Sequence, residues 1–286
     1  MIRKFKIMDG FVLVNKESGE TSNDVVQKAK KKLKVKKVGH LGTLDPIAEG
    51  LLILAINKAT KFSSYFLESD KSYKVELKLG ISTDTDDLSG KVIFESSVTA
   101  SEKIVEKKLL SFIGESMQIP PFFSALKHKG KPLYKYARNG EFIKKPARKI
   151  FIRNIDDFKY KNTVCSFTVS CSKGTYIRSL ARDLGKKLKC GAHLKSLRRV
   201  EQSNFNLSEA VSISKISKEK IIPIEEAFFN FKKIIINSED AKKFVNGVKN
   251  IYNANNDNLY KISNDEGIFL GIGEIKNNNL KHKQLV

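Results

Sequence analysis

The stretch Gly39-His40-Leu41-Gly42-Thr43-Leu44-Asp45-Pro46-Ile47-Ala48-Glu49-Gly50 constrains this chain more than any other. It carries three glycines, a histidine and an Asp-Pro step, set between a basic run at 30–37 and an apolar run at 51–56. Glycine allows positive φ and close approach to a ligand. A glycine-punctuated loop that feeds a buried strand is a common place to present a reactive group. Asp45-Pro46 also has an ordinary reading. Asp at an N-cap with Pro after it opens a helix or a turn, and on the dipeptide alone this is the simpler account.

The chain around this loop has 286 residues, enough for one large domain and a small one, and 41% hydrophobic residues support a packed core. Its 53 Lys and Arg against 31 Asp and Glu leave a net charge of +22. Such an excess points to a polyanionic partner, nucleic acid before an anionic membrane surface. No run of about 18 apolar residues occurs, so no membrane span is expected. Residues 1–6 lack an apolar core, so no secretion signal is expected. Cys165, Cys171 and Cys190 are odd in number and show no CxxC spacing. Reduced thiols in a cytoplasmic protein are therefore expected, with no disulfide scaffold and no zinc site. The four histidines are scattered singly, so no metal centre is expected. No phosphate-binding glycine loop is present, so no nucleotide cofactor is expected.

In chain order, residues 10–16 read as an opening strand, and Thr21 to Asp24 as the capped start of a helix. Residues 71–80 alternate polar and apolar, the mark of a half-buried strand that includes Tyr73. The turn-rich 83–90 lacks the spacing of a calcium loop. Residues 101–114 predict an amphipathic helix with Ile104, Val105, Leu109, Leu110 and Phe112 on one side. Residues 118–140 interleave lysines with aromatics, prolines and glycines. That mixture suits phosphates and unpaired bases, or equally a solvated loop over an aromatic cluster. Residues 147–172 predict two strands, with Ile150, Ile152 and Ile155 facing inward on the first and Val164, Phe167 and Val169 on the second. A helix follows, with Arg178 and Arg182 on one face. Short helices and connectors run from 208 to 228. Residues 234–237, 244–247 and 267–274 read as a small β module, with asparagine-rich turns at 253–258 and 277–279. Read singly, Tyr73 is a packed strand tyrosine and Arg178 a solvated arginine.

Together these segments resemble the bacterial tRNA pseudouridine synthase B family. The loop matches its Gly-His-x-Gly-Thr/Ala-Leu-Asp-Pro-x-Ala-x-Gly pattern at every fixed position. The segments 83–90, 118–140 and 174–185 match its GxxTDTxDxxG, QxPPxxSAxKxxGxxxYxxAR and GTYIRxLxxDLG motifs. Glu17 departs from the family's proline in the opening strand motif. Glu49 is an unusual acidic neighbour that would raise the cost of ionising Asp45 if the two are close.

The resemblance implies an α/β (α+β) pseudouridine-synthase fold with a mixed, largely antiparallel sheet. It implies a catalytic domain over 1–228, with an RNA-clasping segment at about 118–148, and a PUA-like RNA-binding domain of β type over 229–286. It implies isomerisation of the T-loop uridine at tRNA position 55 on a flipped-out nucleotide. Asp45 would act as nucleophile or base, and Tyr73 would stack on the flipped base and help remove its C5 proton. Arg178 would pair with Asp45, and His40 would prise the base from its stack. Gly42, Thr43, Lys127, Tyr176 and Leu197 would bind substrate. The expected partner is the tRNA T-arm, met by a cytoplasmic monomer that uses no cofactor, metal or membrane. A guide-dependent rRNA synthase and a non-catalytic RNA-binding or chaperone protein on the same scaffold remain the alternatives.

Overall fold

A computed structural model describes residues 9–252 and 258–286. The expectation for residues 1–6 and most of the asparagine-rich turn at 253–258 lie outside the described residues. Strand β1 (Gly10–Lys16) enters helix α1 (Ser22–Leu33). Thr21 and Asp24 close that helix start with a reciprocal capping box. Then come β2 (Val38–His40), β3 (Glu49–Ile56), a 3-10 turn (Asn57–Phe62), α2 (Ser63–Leu67) and β4 (Lys71–Leu79). A side hairpin, β5 (Ile81–Thr83) with β6 (Val92–Glu95), leads to α3 (Glu102–Leu110) and β7 (Gly114–Gln118). The 118–148 segment holds a two-stranded ribbon, β8 (Lys127–His128) and β9 (Lys131–Pro132), and the short α4 (Leu133–Ala137). Next are β10 (Arg148–Lys161), β11 (Val164–Cys171), α5 (Ile177–Leu188), β12 (Ala192–Gln202), β13 (Phe205–Asn206), β14 (Ile222–Pro223) and α6 (Ile224–Ala227). The chain closes with β15 (Lys233–Ile236), α7 (Ser238–Val245), β16 (Asn250–Ile251), β17 (Asn258–Asn264), β18 (Phe269–Lys276) and β19 (Asn279–Leu285).

Ten strands form the main sheet, in the order β14-β1-β3-β12-β4-β11-β10-β7, with β2 on β3 and β13 on β12. Among the described residues the one parallel pairing between its strands joins β12 to β3, at Arg198–Glu49 and Arg199–Gly50. The mixed, largely antiparallel sheet expected from the sequence is thus present. The parallel junction decides where the site lies, because the loop carrying Asp45 ends there. At Gly50, φ is +95°, and an added Cβ would lie 2.3 Å from the Arg199 carbonyl oxygen. Only glycine lets β12 come so close.

The main core lies between one face of this sheet and helices α1, α3 and α5. A second cluster covers the other face of β1 and β3 and includes Phe11, Leu51, Ile53, Phe62 and Phe66. β3 is therefore buried on both sides, which is why 51–56 is a continuous apolar run rather than an alternating one. The later strands form a separate five-stranded sheet, β15-β17-β18-β19-β16. It seats Ile272 in the second cluster and Phe269 within 6.5 Å of the Phe62 ring.

Three expectations need correction. Helix α3 is shorter than 101–114, and only Val105 and Leu109 are buried on it, while Ile104 is 49% exposed. The inward phase of β11 runs through Cys165, Phe167, Val169 and Cys171, not Val164, because pairing with β4 fixes the parity. Residues 244–247, read as β, belong to the end of α7, which Asn237 caps by accepting a bond from the Asp240 amide. By contrast, the three-residue step from Ile152 to Ile155 is a β-bulge.

Candidate active site

The Asp45 loop is pinned from below by β1 and the start of α1. Lys16 is 1% exposed and donates to the Ala48 carbonyl at 2.6 Å and to Glu17 at 2.9 Å. Burial pulls its pKa down, against nearby carboxylates that raise it. The Ser22 hydroxyl donates to the Leu44 carbonyl at 3.0 Å, and the Leu44 amide lies 2.9 Å from the same hydroxyl. The Ala48 amide donates to the Asp45 carbonyl at 3.0 Å, closing a turn with Pro46 at its second position. Asp45 does open a turn, as the ordinary reading had it, but with its backbone. The side chain is free for something else.

That side chain meets Arg178. Nε of Arg178 lies 2.8 Å from Oδ2 of Asp45, although its N–H is not directed along that line, so the contact is an ion pair rather than a hydrogen bond. The Arg178 side chain is 4% exposed and the Asp45 side chain 33% exposed, so the arginine is fixed and the carboxylate remains reachable. Arg178 also donates to the Thr85 carbonyl at 3.2 Å and the Phe123 carbonyl at 2.9 Å. Oδ2 of Asp87 stands 3.7 Å from the same Nε. Asp87 is itself held by the Thr85 hydroxyl at 2.8 Å and the Ser89 hydroxyl at 2.6 Å. One guanidinium thus ties the Asp45 loop, the 83–90 turn and the 118–148 segment together, a task suited to its fixed fork of donors.

Helix α5 delivers Arg178, and Gln118 sets where that helix starts. Tyr176, at the N-cap, makes no side-chain cap bond. Instead the Tyr176 amide donates to Gln118 Oε1 at 2.8 Å, and Gln118 Nε2 donates to the Tyr176 carbonyl at 3.1 Å. One turn on, Arg182 binds Asp86 at 3.1 Å and the Ile119 carbonyl at 2.8 Å. Burial raises the Asp86 carboxyl to about 6, against the pull of Arg182.

The floor is made by neighbouring strands. Tyr73 on β4 pairs across the sheet with Arg199 on β12. Burial pushes the Tyr73 phenol up to about 12, with Arg199 opposing the shift. Arg199 is 1% exposed and donates to the carbonyls of Leu51 at 2.7 Å and Gly42 at 3.0 Å. The result is a cleft of about 260 Å³. It gathers Asp45, Tyr73 and Arg178 with Gly42, Thr43, Tyr176 and Leu197. His40 and Lys127 lie outside this lining. His40 ends β2 with a buried, unpartnered Nδ1, and burial lowers its pKa. Lys127 is exposed on the β8–β9 ribbon. Glu49 turns toward Arg198, 3.8 Å away, and lines a separate hollow rather than the cleft.

Sequence reasoning missed Lys16, Lys71, Asp87, Gln118, Arg148 and Arg199 as parts of this site. For all but Asp87, which lies in a turn, the only available signal was charge or polarity at positions where strand phase points inward. The chemistry the arrangement supports is plain. A carboxylate oriented by a buried arginine shares one cleft with an aromatic ring on which a planar base can stack. Among the described residues no group of three potential metal ligands occurs, and no helix is long and apolar enough to cross a membrane.

Residues 30–177 match the TruB family pseudouridylate synthase N-terminal domain. Residues 178–230 match the tRNA pseudouridylate synthase B C-terminal domain, and 233–286 the C-terminal domain of pseudouridine synthase II TruB. The protein named tRNA pseudouridine synthase B from Clostridium kluyveri is 40% identical, over 97% of this chain and 99% of that protein. Its namesake from Azoarcus sp. is 38% identical, over 98% of this chain and 96% of that protein. Among solved structures, an H/ACA ribonucleoprotein bound to a substrate RNA containing 2′-deoxyuridine has a chain with TM-score 0.72 and 21% identity. That match spans 100% of this chain and 87% of the other. An archaeal box H/ACA ribonucleoprotein complex gives 0.71 at 20% identity, over 100% and 88%. These two share the fold.

Proposed function

Because the chain belongs to the TruB family of pseudouridylate synthases, we propose that it isomerises uridine to pseudouridine in tRNA, at the T-loop uridine of position 55. The observation that carries the reading is the Asp45–Arg178 pair at 2.8 Å, which shares one cleft with Tyr73. The N-glycosidic bond breaks, the uracil turns, and a carbon–carbon bond forms to C5. The proton leaving C5 and the proton taken up by N1 balance. The target must first leave its stack, because the cleft admits a single base. Asp45 acts as nucleophile or base, Arg178 keeps it aimed, and the Tyr73 ring supports the flipped base. His40 and Lys127, outside the cleft, are assigned to opening the RNA and holding its backbone.

The RNA is held electrostatically along its phosphates, in keeping with the +22 charge. Residues 1–228 are proposed as the catalytic unit and 229–286 as a PUA-like RNA-binding module, acting as a monomer. The test is a stand-alone assay of the purified protein on a bare tRNA transcript, with pseudouridine mapped by position. Modification at position 55 without guide RNA or partner protein supports the proposal. Modification only with a guide favours the rRNA class, and binding without any modification favours a chaperone.

A further inference from the structure

We propose that Arg148 and Lys71 form a phosphodiester grip at the mouth of the cleft, which holds the RNA backbone beside the flipped uridine. This rests on the reading of uridine in RNA as the substrate. The cleft lining carries one carboxylate, Asp45, and four cations, Lys71, Arg148, Arg178 and Arg199. Arg178 is committed to Asp45 and to two carbonyls, and Arg199 to two carbonyls. Arg148 and Lys71 have no carboxylate within 4.0 Å among the described residues. Two positive charges therefore face the cleft unneutralised.

Both are built in place by neutral groups. The Arg148 guanidinium lies 4.6 Å from the Tyr176 ring centre and donates to the Gly174 carbonyl. Its Nε is buried and without a partner. Gly174 has φ +80°, and a Cβ there would press within 3.2 Å of the guanidinium carbon. Lys71 donates to the Ser69 carbonyl at 2.7 Å and the Leu67 carbonyl at 3.2 Å. Burial pulls its pKa down to about 8. Holding cations where water is partly excluded costs stability unless an anion joins them.

The register says which anion. Lys71 lies two residues before Tyr73 on β4, hence on the same face as the ring. Arg148 reaches the cleft from β10. A base stacked on Tyr73 brings its own flanking phosphates to these two walls. A guanidinium forks onto phosphate oxygens, and an ammonium adds a point charge. Packing of Arg148 on Tyr176 for structure alone requires no anion at all.

The test neutralises the phosphate rather than only the protein. A T-arm RNA carries an uncharged methylphosphonate on either side of the target uridine, or the same linkage four nucleotides away. Wild-type protein and the double variant Arg148→Gln, Lys71→Met are titrated with each RNA. For the wild type, neutralising a flanking linkage should weaken binding about tenfold, the scale of one charged hydrogen bond. The distant linkage should cost less than twofold. In the double variant the flanking penalty should vanish, and the slope of log K against log salt should fall by about 0.7 per lost contact. Arg148→Lys should keep most of the penalty. Equal penalties at flanking and distant linkages in the wild type overturn the grip, even if the double variant fails to fold. So does an undiminished flanking penalty in a folded double variant. Binding is read apart from turnover. A wild type that shows the penalty but makes no pseudouridine on native RNA keeps the grip and sinks the activity.

Discussion

Arg178 is the residue on which the others depend. It touches Asp45, Asp87 and two carbonyls from different segments, all while 4% exposed. Arg178→Lys keeps the charge but loses the fork, so single-turnover pseudouridine formation should fall at least about 100-fold, the usual effect of misplacing a reacting group by about 1 Å. A loss of less than tenfold, in a protein that melts normally, would show that charge alone suffices. Lys71 gives a second expectation, read in stability. Its folded pKa of about 8 lies below the ordinary 10.5. The neutral amine is thus favoured in the folded state. Its contribution is present above pH 10.5 and is lost as pH falls through 8, because the unfolded chain takes up the proton first. Melting temperatures of Lys71→Met and wild type should diverge in the variant's favour as pH falls from 10 to 8. Parallel curves would mean that the ammonium sits in water. Functional sites commonly carry such costs.

At the level of elements, position decides which side chains matter. The Asp45 loop, the strand carrying Tyr73 and the helix carrying Arg178 were legible, because glycines, period-two alternation and helix spacing leave direct marks. The supports were not. Gln118 ends β7 and looks like any polar strand residue, yet it is 3% exposed and fixes the start of α5 through two bonds. Asp87 reads as one more turn aspartate until Arg178 arrives from 91 residues later. Contacts made across the sheet have no local signature. Burial on both faces of β3, by contrast, does leave a mark, the unbroken apolar run 51–56. Two substitutions test these supports. Gln118→Leu should destabilise the fold by about 1–3 kcal/mol, from the Tyr176 amide left unpaired, and slow catalysis by letting α5 shift. Gly50→Ala should cost at least about 2 kcal/mol, through left-handed backbone strain and collision with β12. Denaturant midpoints at unchanged slope would report both, and unchanged midpoints would contradict the geometry.

For the molecule as a whole, the second sheet is more than an appended module. Phe269 and Ile272 complete an apolar cluster with Phe62 and Phe66 on the back of β3. Deleting residues 229–286 should therefore weaken RNA binding and lower the melting temperature of what remains, while single-turnover rates at saturating enzyme change little. A large rate loss in a still-folded protein would mean the module shapes the cleft. The central claim, however, concerns one carboxylate, and Asp45→Asn tests it most directly. Asparagine keeps the turn, since the bond closing it uses the Asp45 carbonyl, and it keeps the shape of the side chain. It removes the nucleophile or base. The measurement is single-turnover pseudouridine formation by Asp45→Asn on tRNA, with binding followed on the same sample. The expected result is a loss of more than about 10⁴-fold in rate with affinity within a few-fold of wild type, and near-normal turnover would contradict the assignment and leave Asp45 as a turn residue.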